Sequence, residues 1–300
     1  MEKRKLGNTE LIVSRLGVGL AEISDFSNQA VSNVYQILDM ALENGVNFFD
    51  TAACYGNSEE LIGRAMAERR DEFILSTKAG HITGKYAGKA WTAETVHDSV
   101  DRSLRRLRTD HLDIVHLHSC DVDILERGEV IQALQDAKQA GKTRYIGYSG
   151  DNESADWAVE SGLFNTLQTS YNLVDQRARS ALFPKAKEQG TGIIAKRPIA
   201  NAVWGTKTSP SSYAAEYHHR AKQLAQKGTI PESPENPILL ALGFALHQPA
   251  IDTAIVGTGD PEHMGENIKL VEESLPISEK AVMELQERFD QIGANWSQQG

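Results

Sequence analysis

The stretch "GVNFFDTAACYGNSEELIG", residues 45–63, ends an apolar run on Asp50 and presents Tyr55 five residues later. Two further apolar runs end on groups that handle protons: "FILSTK" on Lys78 and "LDIVHLH" on His118. A lysine at a buried strand end is costly, because burial penalises its charge. An aspartate beside it offsets that cost. A phenol near the ammonium should have its pKa drawn below the usual ~10, which lets it donate a proton near neutral pH. An adjacent imidazole can orient a carbonyl oxygen or share the proton. Together the four would form an acid relay aimed at one oxygen atom. One such residue at a strand end is ordinarily structural; four at successive ends point to a site.

This relay needs neighbouring strands that finish on one face. Eight apolar runs qualify: 16–21, 46–51, 73–78, 112–118, 143–149, 166–171, 191–196 and 252–257. Most show little polar alternation, as strands buried on both faces do. Between them apolar residues recur at helical spacing. Val31, Val34, Tyr35, Leu38, Ala41 and Leu42 form one stripe, followed by Gly45 as a stop. Val96, Val100, Leu104 and Leu107 form a second, and Val130, Ile131, Leu134 and Ala137 a third, ended by Gly141. Strands alternating with helices predict a parallel sheet. Eight of them close an α/β (β/α)8 TIM barrel, with its chemistry at the C-terminal strand ends. Asp50 then shares a strand face with Phe48 and Val46, and Lys78 with Ser76 and Ile74. Residues 2–13 read as an N-terminal β-hairpin under the barrel. Residues 201–236 form a long insertion after strand seven, expected to be a lid or binding loop. The whole of 1–300 reads as one barrel domain.

Composition narrows the class. The chain has 300 residues, 40% hydrophobic and 24% charged, enough to bury roughly three quarters of its unfolded surface. A formal net charge of -10 argues against nucleic acid and anionic membrane partners. Two cysteines make no disulfide framework and fit a reducing compartment. "MEKRKLGNTELIVSRLG" lacks the apolar core of a signal peptide, and "ILLALGFAL" is too short to span a bilayer. A cytoplasmic location is expected.

Through these residues the chain resembles the aldo-keto reductases over essentially its full length. "GVNFFDTAACYGNSEELIG", "STK", "LDIVHLH", "GKTRYIGYS", "LQTSYN" and "GTGDPEHMGEN" follow that family's order and spacing. The resemblance implies reversible reduction of an aldehyde or ketone by hydride transfer from NAD(H) or NADP(H), held extended without a Rossmann fold. It implies a tetrad of Asp50, Tyr55, Lys78 and His118, with Tyr55 as general acid, and a small-molecule carbonyl as partner.

The resemblance also assigns cofactor positions. Ser149, Gly150 and Gln168 would face the carboxamide, Gly150 standing where many members have Asn. Gly19 joins them. Lys196, Arg197 and Pro198 follow strand seven, where members often stack an aromatic ring. Here the Lys196 stem would cover the nicotinamide and Arg197 could meet the pyrophosphate; the alternative for both is solvated charge. Gly257, Thr258, Asp260, His263, Glu266 and Asn267 form the adenosine end. NADPH-specific members commonly carry Lys or Arg at the places of Gly257 and His263. Asp260 would repel a 2′-phosphate and accept from a free 2′-hydroxyl, so the family's usual NADPH preference is not expected. Ser119 and Cys120 replace a common Trp-Pro, which implies a roomier pocket walled by Trp91, Trp204 or the insertion.

Other signals are weaker. "GVGLAE" lacks the third glycine of a Rossmann fingerprint. His116 and His118 form an HxH pair, but two ligands make no catalytic zinc site; His116 reads as a core histidine. Cys54 and Cys120 read as small buried residues. Two rival functions stay open: a Schiff-base lyase using Lys78, and a regulatory subunit that binds the cofactor as a redox sensor.

Overall fold

The computed structural model describes residues 1–23, 28–83 and 88–299. All eight expected runs form strands. They are β3 (Leu16–Gly19), β4 (Phe48–Asp50), β5 (Ile74–Ala79), β6 (Leu112–His118), β7 (Thr143–Ser149), β8 (Thr166–Ser170), β9 (Gly192–Lys196) and β10 (Thr253–Gly257). Every neighbouring pair is parallel, and β10 closes the barrel against both β9 and β3. β1 (Lys3–Lys5) and β2 (Ile12–Ser14) pair antiparallel as the hairpin.

The helices follow from apolar stripes with defined ends. Ala93–Leu107 starts at Thr92, whose side chain accepts from the Thr95 N–H at 3.2 Å. It stops where Arg108 turns left-handed (φ +55°). Its Val96, Val100 and Leu107 are buried against the barrel, and Leu104 is partly so. Helix Glu129–Gln139 buries Val130, Ile131, Leu134 and Ala137, and Gly141 takes the positive φ expected of a stop.

The hairpin plugs the barrel floor. Leu6, Leu11 and Val13 cluster with Phe48, Ile74, Ile114, Ile194 and Ile255. Gly7 permits that fit: its φ is +52°, and a Cβ there would lie 2.3 Å from the Gly192 nitrogen. The opposite end of the barrel is left to polar side chains. The insertion after β9 is more ordered than a simple loop, since it carries helix Ala215–Ala225. The C-terminal tail crosses the same end. Buried Gln298 bonds Thr169 Oγ1 at 3.0 Å and the Ser170 carbonyl at 2.7 Å. No helix among the described residues is long and apolar enough to cross a membrane.

Candidate active site

Register brings the expected residues to one level. Asp50 lies opposite Ser76, Lys78 opposite His116, His118 opposite Ser149, and Ser149 opposite Gln168. Asp50 is the hub. Its Oδ2 accepts from Lys78 Nζ at 2.6 Å. Its Oδ1 accepts from Ser76 Oγ and from Gln168 Nε2, both at 2.9 Å. Lys78 also donates to the Thr51 carbonyl at 2.7 Å.

Both members of the Lys78–Asp50 pair are about 2% exposed. A buried ion pair is a poor source of net stability, so its place beside a cavity that Asp50 lines points to function. Burial pulls the Lys78 ammonium down, but Asp50 and then Tyr55 together more than offset that and hold its pKa above the ordinary lysine value. Lys78 Nζ lies 4.8 Å from the Tyr55 ring centroid. Here one expectation is corrected. Burial is the larger influence on Tyr55 and pushes its phenol above the usual value, with Lys78 opposing it. Tyr55 thus keeps its proton, and the ammonium is placed to stabilise the phenolate left when that proton departs.

His118 meets Tyr55 edge-on, with ring centroids 5.6 Å apart. Burial, then the Lys78 charge, push its pKa down to about 2, so the ring is neutral. His116 lies in the core, as expected: it is fully buried, with Ser76 Oγ 3.2 Å from Nδ1 and Thr166 Oγ1 3.0 Å from Nε2. Burial drives its pKa down to about 3.

A cavity of about 800 Å³ opens from this cluster. Asp50, Tyr55 and His118 line one part of it. Gly19, Ser149, Gln168, Lys196, Arg197, Pro198, Gly257, Thr258, His263, Glu266 and Asn267 line the remainder. Asn201, Ala202, Ser211 and Tyr213 bring the insertion to its wall. Ser149 Oγ donates to Gln168 Oε1 at 2.8 Å, which ties two expected carboxamide partners together. Lys196 Nζ pairs with Asp151 Oδ2 at 2.8 Å, holding its stem along the wall. Arg197 is bonded to Ser170 Oγ at 2.9 Å, to the Tyr213 hydroxyl and to the Gln299 carbonyl. Neither cation is simply solvated. Arg197, Ala200, Asn201 and Ala202 all take φ between +48° and +57°, a conformation costing roughly 1–2 kcal/mol per non-glycine residue. Such strain concentrates at ligand clamps.

Several expected residues do not line the cavity. A Cβ on Gly150 would lie 2.5 Å from the Tyr148 hydroxyl oxygen, so that position faces Tyr148. The Tyr148 hydroxyl itself donates to the Cys120 carbonyl at 2.7 Å. Asp260 caps helix Pro261–Glu273 instead, accepting from the Glu262 N–H at 2.9 Å. Trp204 packs on the core, and Trp91 packs against His81 at 4.8 Å. The aromatic that the insertion supplies is Tyr213.

Asp151 and Glu22 carry no signal in the sequence, and Cys54 reads there only as a small buried residue. Asp151 is buried and anchors Lys196; burial opposes its charge, yet Lys196 holds its pKa below the carboxylate range. Glu22 lies over Gly257, where an added Cβ would meet its Oε2 at 2.2 Å. Burial raises the pKa of that carboxyl. Cys54 is exposed rather than buried, with Sγ 3.3 Å from His118 Nδ1. No periodic pattern marks these three, because each acts through a contact distant in sequence.

A closed parallel barrel thus carries a buried Lys–Asp pair beneath Tyr55, and Asp50, Tyr55 and His118 line one cavity with most of the expected cofactor residues. The profile of the Aldo/keto reductase family matches residues 15–287. The chain is 31% identical to the uncharacterized oxidoreductase YqkF of Bacillus subtilis (strain 168), over 90% of each chain. It is 30% identical to L-galactose dehydrogenase of Arabidopsis thaliana, over 95% of this chain and 93% of that one. The solved structure of aldo-keto reductase AKR11C1 from Bacillus halodurans (holo form) superposes with a TM-score of 0.80 at 25% identity, covering 96% of both chains. This chain belongs to the aldo-keto reductase family and is an oxidoreductase. The family uses nicotinamide cofactors.

Proposed function

We propose that this protein reversibly reduces an aldehyde or ketone to an alcohol with a nicotinamide cofactor, Tyr55 acting as general acid. The observation that carries this reading is the buried Asp50–Lys78 pair, 2.6 Å apart, beneath Tyr55 where the cavity begins. The cavity fits such a cofactor in chemistry. Linked amide and hydroxyl groups of Gln168 and Ser149 suit a carboxamide. Lys196 and Arg197 add positive charge to the wall, and His263 from the N-terminal turn of helix Pro261–Glu273 also lines it. When bound, the reduced nicotinamide supplies the hydride.

The chain's own residues manage the substrate oxygen. Tyr55 donates its proton as negative charge develops there. Lys78 stabilises the resulting phenolate, and Asp50 keeps Lys78 charged and in place. Neutral His118 offers a ring N–H to the same oxygen. In the reverse direction the phenolate accepts the alcohol proton.

Ser119 lines the cavity where the resemblance implies a bulky residue, which supports a roomier substrate pocket. NADH is used by this protein, and NADPH is not strongly preferred. Asp260 is engaged as a helix cap, but the Glu22 carboxylate supplies negative charge beside Gly257 in its place. The Schiff-base rival loses ground, since a nucleophilic lysine must be neutral and Asp50 keeps Lys78 charged.

The test is oxidation of NADH and of NADPH across a panel of aldehydes and ketones. Carbonyl-dependent turnover supports the reading. Tight nucleotide binding without turnover on any carbonyl would replace it with the redox-sensing role.

A further inference from the structure

We infer that Cys54 is a positioning residue for His118: its thiol donates to Nδ1 and so keeps the neutral imidazole's proton on Nε2, available to the substrate oxygen. This rests on the carbonyl-reductase reading above.

A neutral imidazole has two tautomers, and only one nitrogen carries the proton. Which one is set by the partner of the other. Among the described residues, Cys54 is the side chain hydrogen-bonded to the His118 ring, with Sγ 3.3 Å from Nδ1. The other neighbours leave Nδ1 to it. The Tyr55 and His81 rings meet His118 edge-on, at centroid distances of 5.6 Å and 5.0 Å, and among the described residues the hydrogen bond to the His118 ring is the one from Cys54.

The protonation states agree with the geometry. Burial around the sulfur pushes the Cys54 thiol up, with Lys78 opposing it, so the sulfur retains the proton it must donate. Lys78 also disfavours a second proton on His118. With charge on the ring suppressed, the remaining variable is where the single proton sits. His116 shows the same control: Ser76 donates its one proton to Asp50 Oδ1, so its oxygen can only accept at Nδ1 and Thr166 is left to donate to Nε2. At His118 the partner is a thiol, whose sulfur is a weak acceptor while an unprotonated imidazole nitrogen is a good one, so S–H donation to Nδ1 is the favoured direction.

The experiment is two-bond ¹H–¹⁵N correlation of the histidine rings in the full-length chain, with and without NADH. His118→Gln assigns the signal. The expected result is an unprotonated Nδ1 and protonated Nε2 in the unaltered protein. Cys54→Val should give mixed tautomers and lower kcat about tenfold, the effect of one ordinary hydrogen bond, with KM for the nucleotide unchanged. Cys54→Ser, which keeps a donor, should retain the Nε2–H form and recover most of the rate. A protonated Nδ1 in the unaltered protein would overturn the inference without any variant having to fold. So would an unchanged tautomer in Cys54→Val. Failure of the enzymatic reading looks different: no carbonyl would be reduced, while the Cys54-dependent tautomer remained.

Discussion

Lys78 Nζ stands 2.6 Å from Asp50 Oδ2, while the other Asp50 oxygen holds Gln168 at 2.9 Å. One carboxylate therefore fixes both the charge beneath Tyr55 and the amide of the candidate cofactor wall. Removing the charge should act on chemistry. Lys78→Met takes away the influence that lowers the Tyr55 pKa and leaves burial unopposed. Reduction should fall about 10²-fold, the scale of losing one preorganised electrostatic group. Reduction needs protonated phenol, so its rate drops as pH rises through the phenol pKa. That limb should move to higher pH in Lys78→Met. A pH–rate profile of unchanged shape would show that Lys78 does not tune Tyr55.

Tyr55→Phe removes the hydroxyl and little volume. Reduction should drop by ~10²-fold or more, the range for a general acid. Nucleotide affinity, read by fluorescence quenching, should stay within about threefold, since the ring's packing on His118 is kept. Near-normal turnover would take Tyr55 out of the mechanism.

The barrel was legible because parallel strands buried on both faces leave unmixed apolar runs. Strand ends were legible too, since Asp50, Lys78 and His118 each close such a run. Less visible were the effects of three-dimensional surroundings. Tyr55 was expected to be the stronger acid from its ammonium neighbour alone, and burial outweighs that neighbour. Gly150 reads as a missing amide until the Tyr148 ring is seen filling that space. Asp260 reads as a ribose ligand, but an aspartate before a proline is equally a helix cap. Glu22 sits three residues past Gly19, which pairs with Gly257 of β10, and only barrel closure brings it over Gly257.

His116 should tie stability to acid. Its folded pKa of about 3 lies far below the ordinary 6.5. Above pH 6.5 the ring is neutral folded or unfolded. Below it, the unfolded chain takes up a proton that the folded chain refuses, so stability is lost as pH falls from 6.5 toward 3. One such group contributes about 2 kcal/mol of loss between pH 6.5 and 5. His116→Gln should reduce that pH slope by about one proton, whatever its effect on stability at pH 7. Urea unfolding at pH 7, 6 and 5 measures it. Equal slopes in both proteins would mean that folded His116 accepts the proton.

Cofactor choice should follow the charge at the far end of the cavity. A 2′-phosphate carries nearly two negative charges at neutral pH, and Arg or Lys usually meets it. This cavity offers Gly257 and His263 there, with the Glu22 carboxylate lying over Gly257. One charged hydrogen bond contributes roughly 1.5–3 kcal/mol, so two absent partners remove a preference of several hundredfold or more. NADH should be used, and NADPH not strongly preferred. Glu22 also changes which variants convert the enzyme. A lysine at Gly257 would grow directly into that carboxylate and pair with it, so Gly257→Lys alone should shift preference little. His263→Arg with Glu22→Gln adds a cation and removes the opposing anion. That pair should move the NADPH/NADH ratio of kcat/KM toward NADPH by about tenfold or more, one charged contact's worth. The ratios are measured at fixed ionic strength, because exposed charges are screened by salt. A ratio above ~100 for NADPH in the unaltered protein, about 2.7 kcal/mol, would show that another cation of this cavity receives the phosphate, with Lys196 and Arg197 the next to replace.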